Sequence, residues 1–205
     1  MPAENPRTTF LAAAATVAEL VARIPDGSWA GPGLGVWDLR ALVGHTSRSL
    51  ITVTTYLAQR APALDIPTPE AYYVAVARAG GANTAAIAQR GRDAGAVLGD
   101  DPATSFRTLL VEATAALDGA TDDDVVPTIA GGMRVGSYLP TRTFGLAVHG
   151  LDIAAAIGLP VAFAPAVLAE AAVLAARVAV ALDHGPAVLA ALTGRTALPR
   201  GFSVV

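Results

Sequence analysis

The chain has no cysteine among its 205 residues. That excludes disulfide frameworks, thiolate-held zinc and a cysteine nucleophile, and it fits a reducing, cytoplasmic setting. Charge is scarce too: Asp, Glu, Lys and Arg together make up 15% of the chain, and the formal net charge is −3. No basic block occurs anywhere, so the electrostatic footprint of a nucleic-acid-binding protein is missing. Residues 1–9 are polar and lack the basic segment of a signal peptide, and Glu19 interrupts the alanine-rich stretch after them. The most apolar span, residues 161–182, contains Pro165, Glu170 and Arg177. It reads as a buried amphipathic helix, with no membrane span expected. Gly33-Leu34-Gly35 lacks the preceding strand of a phosphate loop, and no serine sits in a nucleophile elbow.

The chain is rich instead in apolar side chains: hydrophobic residues make up 53%, much of it alanine, which favours helices and their close approach. The patterning predicts a mainly all-α fold. A first helix is capped by Thr8 or Thr9 and runs to about Ile24, with Phe10, Val17, Leu20 and Val21 on its apolar face. A second starts near Trp37-Asp38 and carries Leu39, Leu42, Val43, Leu50 and Leu57. A third runs from Thr68 or Pro69 towards Leu98, with a break or kink at Gly80-Gly81. A fourth covers about 103–117. Two β-prone runs, 125–129 and 133–135, flank Gly131-Gly132 as a small hairpin, with Pro127 on an edge. A fifth helix spans about 139–157 and stops at Gly158 and Pro160; two more cover 165–182 and 186–192. Asp122-Asp123-Asp124 reads as a solvated turn. With no internal repeat and no linker, residues 1–158 form a bundle and 159–205 a helical extension packed on the same domain.

The chain has three histidines. His45 lies mid-helix between Leu42 and Ser49 and points inward, as either a hydrogen-bonded core histidine or a functional one. His149 is also mid-helix. Arg142, Gly145, His149 and Asp152 recur at spacings of three or four and share one face. Arg142 is either a surface arginine or a fork for a substrate carboxylate. Asp152 is a metal ligand or the partner that orients a histidine ring. Gly145, inside a helix, costs about 1 kcal/mol relative to alanine and needs a reason. His184 comes after a helix and suits a C-terminal cap. Facing histidines in a bundle interior are where metal sites are built, and a catalytic zinc takes three protein ligands.

Trp37-Asp38-Leu39-Arg40-Ala41-Leu42-Val43-Gly44-His45 resembles the Trp…Asp-Leu…His signature of the mycothiol-dependent maleylpyruvate isomerase family, which belongs to the DinB-like metal-binding bundles. Residues 142–154, from Arg142 through Gly145 and His149 to Asp152-Ile153-Ala154, are similar to its second signature, in which a glutamate precedes the histidine by four residues. The tail from Gly194 to Phe202 extends the likeness. The resemblance implies a DinB-like four-helix bundle, here with extra C-terminal helices and the small hairpin. It also implies a divalent metal, usually zinc, held by His, Glu and His, and mycothiol as co-substrate. By position the histidines are His45 and His149, while Gly145 stands where the glutamate belongs. Asp152 is the remaining carboxylate that could complete a set of His45, His149 and Asp152. The stretch beyond residue 160 is shorter than the family's larger C-terminal domain, which separates this chain from maleylpyruvate itself as substrate.

Three functions are expected. The first is a metal- and thiol-dependent transferase or isomerase acting on a small electrophile, with His45, His149 and Arg142 as catalytic residues. The second is a metal-depleted small-molecule-binding protein, with Gly145 opening a cavity lined by Phe144 and Leu42. The third is a metal-independent enzyme with His45 or His149 as general acid–base. The expected partner is a small molecule, with neither nucleic acid nor membrane, and alanine-rich helices could support a homodimer.

Overall fold

The computed structural model describes residues 5–79 and 84–205. Among them are eight α-helices and one two-stranded antiparallel sheet. Helix α1 (Pro6–Val21) starts earlier than its threonines suggest, because Asn5 caps it: the Asn5 side chain accepts from the Arg7 amide at 2.8 Å, and Pro6 fits the first helical position. Asp38 caps α2 (Leu39–Leu57) by accepting from the Ala41 amide at 2.7 Å. The stretch from residue 68 or 69 to 98, expected to be helical with a break or kink, holds α3 (Pro69–Arg78), capped by Thr68, and α4 (Thr84–Val97). The Gly80-Gly81 pair expected to break or kink it lies outside the described residues. Asp101 caps α5 (Pro102–Asp118).

The hairpin forms as β1 (Val125–Thr128) and β2 (Gly131–Arg134), with Val126 opposite Met133 and Pro127 opposite Gly132. Helix α6 (Val135–Ile157) begins a turn earlier than expected and takes Pro140 inside it. Proline removes one backbone donor there, and the hydroxyls of Thr141 and Thr143 bond back to the carbonyls of Tyr138 and Leu139 in the same stretch. Gly158 ends α6 with φ +66°, a left-handed cap that suits glycine. Helices α7 (Pro165–Ala181) and α8 (Gly185–Leu192) complete the chain's regular structure. None of the described helices is long and apolar enough to cross a membrane.

Four helices close a ring. Helix α1 packs on α6, α6 on α2, α2 on α5 and α5 on α1. Phe10, Val17 and Leu20 meet Leu42, Leu50, Phe106, Leu139, Leu146 and Ile153 in its centre, all nearly or wholly inaccessible. Helix α7 packs on α6, α1 and α3, and α8 packs on α7. The Asp122–Asp124 turn is tied down rather than merely solvated: Arg7 reaches Asp122 at 2.6 Å and Arg60 reaches Asp124 at 3.1 Å, while Asp123 stays exposed.

One crossing positions the site. Helix α4 lies outside the ring, against α2, with Gly44 and Gly95 backbone to backbone. A Cβ on Gly44 would come 2.1 Å from the Gly95 nitrogen, so no other residue fits without moving the helices apart. That approach brings the Ala88 carbonyl of α4 within 3.0 Å of the Trp37 indole nitrogen, which donates to it.

Candidate active site

Helices α2 and α6 bring His45 and His149 together. Their ring centroids are 4.9 Å apart, with the planes at 86°. On its other side His45 meets the Trp37 indole at 4.6 Å, tilted by 30°. His45 is half-buried, and its Nδ1 is buried without a hydrogen-bond partner. Burial, then the electrostatic interaction with His149 and the positive charges of Arg48, Arg142 and Arg90, push the pKa of His45 down to about 3. The ring is therefore neutral at physiological pH. A buried polar atom left unpaired is costly.

His149 is held differently. Its Nδ1 lies 3.1 Å from Asp152 Oδ2, one turn on along α6. A carboxylate can only accept at neutral pH, so the Nδ1 proton lies in this contact and Nε2 is the nitrogen turned away from Asp152. Asp152 thus acts as the orienting partner of His149. Gly145 faces α2: a Cβ there would lie 3.2 Å from the Ser49 hydroxyl oxygen, with nothing else within 4 Å.

Arg142 lies under a group of aromatic rings. Its guanidinium carbon is 5.3 Å from the Tyr72 centroid and 5.0 Å from that of Tyr138, and its Nε donates to the Thr141 hydroxyl at 3.0 Å. The Tyr138 hydroxyl bonds Thr52 at 2.8 Å, and that of Tyr73 donates to the Thr141 carbonyl at 3.1 Å. Burial raises both phenols above their usual range, so they stay protonated.

The structure therefore gathers His45, His149, Asp152 and Gly145 and sets Arg142 on the same helix. It leaves His184 apart, between α7 and α8 with its ring against Phe202. Leu42 and Phe144, expected to line a cavity beside Gly145, belong to the packed core. A groove of about 450 Å³ lies elsewhere, beside Ile66, Glu70, Val74, Arg78 and Ala181, and holds none of the candidates. Sequence reasoning missed Ser49, Arg48, Arg90, Tyr56 and Tyr138. Ser49 comes four residues after His45 and Tyr138 four before Arg142, so helical spacing could have found both.

The family's metal is a test of this donor set. Two imidazoles are present, but the third position is a glycine facing a serine hydroxyl, and Asp152 is engaged with Nδ1 of its own histidine. Among the described residues no three His, Cys, Asp or Glu side chains are grouped so as to hold an ion. The residues present do not fit the His–Glu–His centre, and the metal set of His45, His149 and Asp152 does not assemble.

The fold and the side chains together define a helical-bundle protein in which two histidines face each other between two ring helices. The family model for the mycothiol maleylpyruvate isomerase N-terminal domain matches residues 10–154, and the chain belongs to that family. Neither the curated proteins nor the solved structures contain a significant match.

Proposed function

We propose that the chain is a thiol-dependent isomerase or transferase of this family in which the His149–Asp152 pair, rather than a three-ligand metal, handles the proton. The observation that carries this reading is the 3.1 Å contact between His149 Nδ1 and Asp152, beside a neutral His45 with a free nitrogen. Asp152 holds the ring and offsets the charge it acquires on taking a proton. His149 Nε2 accepts the proton of a low-molecular-weight thiol, mycothiol in the family's name. The sulfur then bonds to an electrophilic carbon, and the electron pair of the attacked double bond moves to the conjugated acceptor group. His149 returns the proton to the adduct for a transfer. Departure of the sulfur after bond rotation, with its proton regained, gives an isomerisation.

The reading is tested with chelator-treated protein, a low-molecular-weight thiol and a series of conjugated electrophiles. Adduct formation or isomerisation that persists in chelator supports it. Turnover that appears only when zinc is added overturns it.

A further inference from the structure

We propose that the outer face of α7, together with α8, is the interface of a two-fold dimer: a second copy of this chain covers it, and Arg177 pairs with the partner's Asp183.

The first argument is the pattern of α7. Val167, Ala171, Leu174 and Val178 are buried against the bundle. Ala169, Val173, Ala176 and Val180 recur at spacings of four, three and four and run along the opposite side. Val173 is 50% exposed and Val180 66%. A helix that is apolar all round is normally buried all round, and this one is covered on one side. Helix α8 continues the patch. A Cβ on Gly185 would lie 3.1 Å from Val180 Cγ2, so α8 starts where the α7 stripe ends. Leu189 and Leu192 are 65% and 75% exposed, and no residue of α8 is fully buried. A contiguous apolar surface of this kind marks an interaction site.

The second argument is charge, and it selects the occupant. Residues 165–192 hold three charged side chains, Glu170, Arg177 and Asp183. Glu170 is turned inward to Thr143 of α6, with Oε1 buried. Arg177 and Asp183 are exposed and form no ion pair among the described residues. They stand three residues before and three residues after Val180. A two-fold axis through Val180, with the helices antiparallel, sets Val180 on the partner's Val180 and each Arg177 beside the partner's Asp183. The face is thus complementary to itself, which is what an isologous contact requires. A lipid surface is met by apolar side chains rimmed with Lys and Arg; here the single arginine is matched by carboxylates.

The third argument is size. Helix α7 is about 25 Å long. With α8 beside it the face offers on the order of 500 Å² per copy, or about 1,000 Å² in all, the lower bound for a specific interface. The dimer is therefore a reversible one, with a Kd of about 10–100 µM.

The test is sedimentation equilibrium of the full chain across concentrations that bracket that Kd. The wild type should pass reversibly from monomer to dimer. Val180→Asp, which sets two like charges on the axis, should weaken association by about 10-fold or more. Arg177→Glu and Asp183→Lys should each weaken it by about 10-fold, and the two together should return it to within about 3-fold of the wild type. That rescue is a result a general loss of structure does not give. Should Val180→Asp fail to fold by circular dichroism, Leu189→Glu probes the same face with the same expected loss. A wild type that stays monomeric overturns the proposal, as does a dimer that keeps its Kd in Val180→Asp or is not rescued by the charge swap. Wild-type binding to vesicles of phosphatidylcholine and phosphatidylglycerol, lost in Val180→Asp, would assign the face to a membrane and overturn it as well.

Discussion

The imidazole of His149 stands edge-on to that of His45, with centroids 4.9 Å apart and planes at 86°. Two helices converge to put them there, yet the rings are held in different states. His149 has a carboxylate on its Nδ1. His45 has three arginines acting on it and a buried nitrogen with no partner. One ring is tied to a carboxylate, and the other is kept neutral by burial and nearby positive charge.

Restoring the family's third ligand should restore its metal. In Gly145→Glu the new Cβ meets only the Ser49 hydroxyl, at 3.2 Å, and a small rotation of that side chain relieves the contact. Elemental analysis should show zinc rising from well below one per chain to near one. Zinc at equal levels in both proteins would mean that the two histidines are not disposed as ligands.

Stability should fall in acid partly through His45. The folded protein leaves this ring neutral down to about pH 3, whereas the unfolded chain protonates it near 6.5. Between those values the unfolded state binds more protons, so stability is full above 6.5 and is lost as pH falls. Urea unfolding of the wild type at pH 7 and pH 4.5 should differ by about 2 kcal/mol more than in His45→Gln. Glu170 acts in the opposite sense: burial raises its pKa, so its contribution is present in acid and lost as pH rises. Equal pH dependence in the two proteins would contradict the assignment to His45.

The α2–α4 crossing should tolerate no side chain. Gly44→Ala places a methyl 2.1 Å from the Gly95 nitrogen, against backbone that cannot rotate away. It should destabilise the protein by about 2–3 kcal/mol in urea unfolding. It should also release the Trp37 indole from Ala88, read as a change in tryptophan emission. A neutral substitution would mean that the helices are further apart than described.

Much of the bundle was legible because its helix ends are marked by local chemistry. Asp38, Thr68 and Asp101 each cap a helix through a side-chain oxygen. The start of α6 was not legible, since Pro140 discourages a helix that tertiary packing nevertheless carries past it. The His149–Asp152 contact could be read from a spacing of three residues on one helix. The meeting of His45 with His149 could not; it depends on how α2 packs on α6, and only the paired family signatures pointed to it. The same limit hid most of the rings around Arg142. Tyr138 shares its helix, but Tyr56 and Tyr72 arrive from α2 and α3, and nothing local links them.

The central claim is that His149 takes the thiol proton without a metal. The most direct test is the rate of thiol addition to a conjugated electrophile by chelator-treated wild type and His149→Gln at pH 7. The expected result is a wild-type rate indifferent to chelator and a drop in kcat of about 10²- to 10⁴-fold in the variant, the range of a lost general base. A variant as fast as the wild type, or a wild type silent until zinc is supplied, would contradict it.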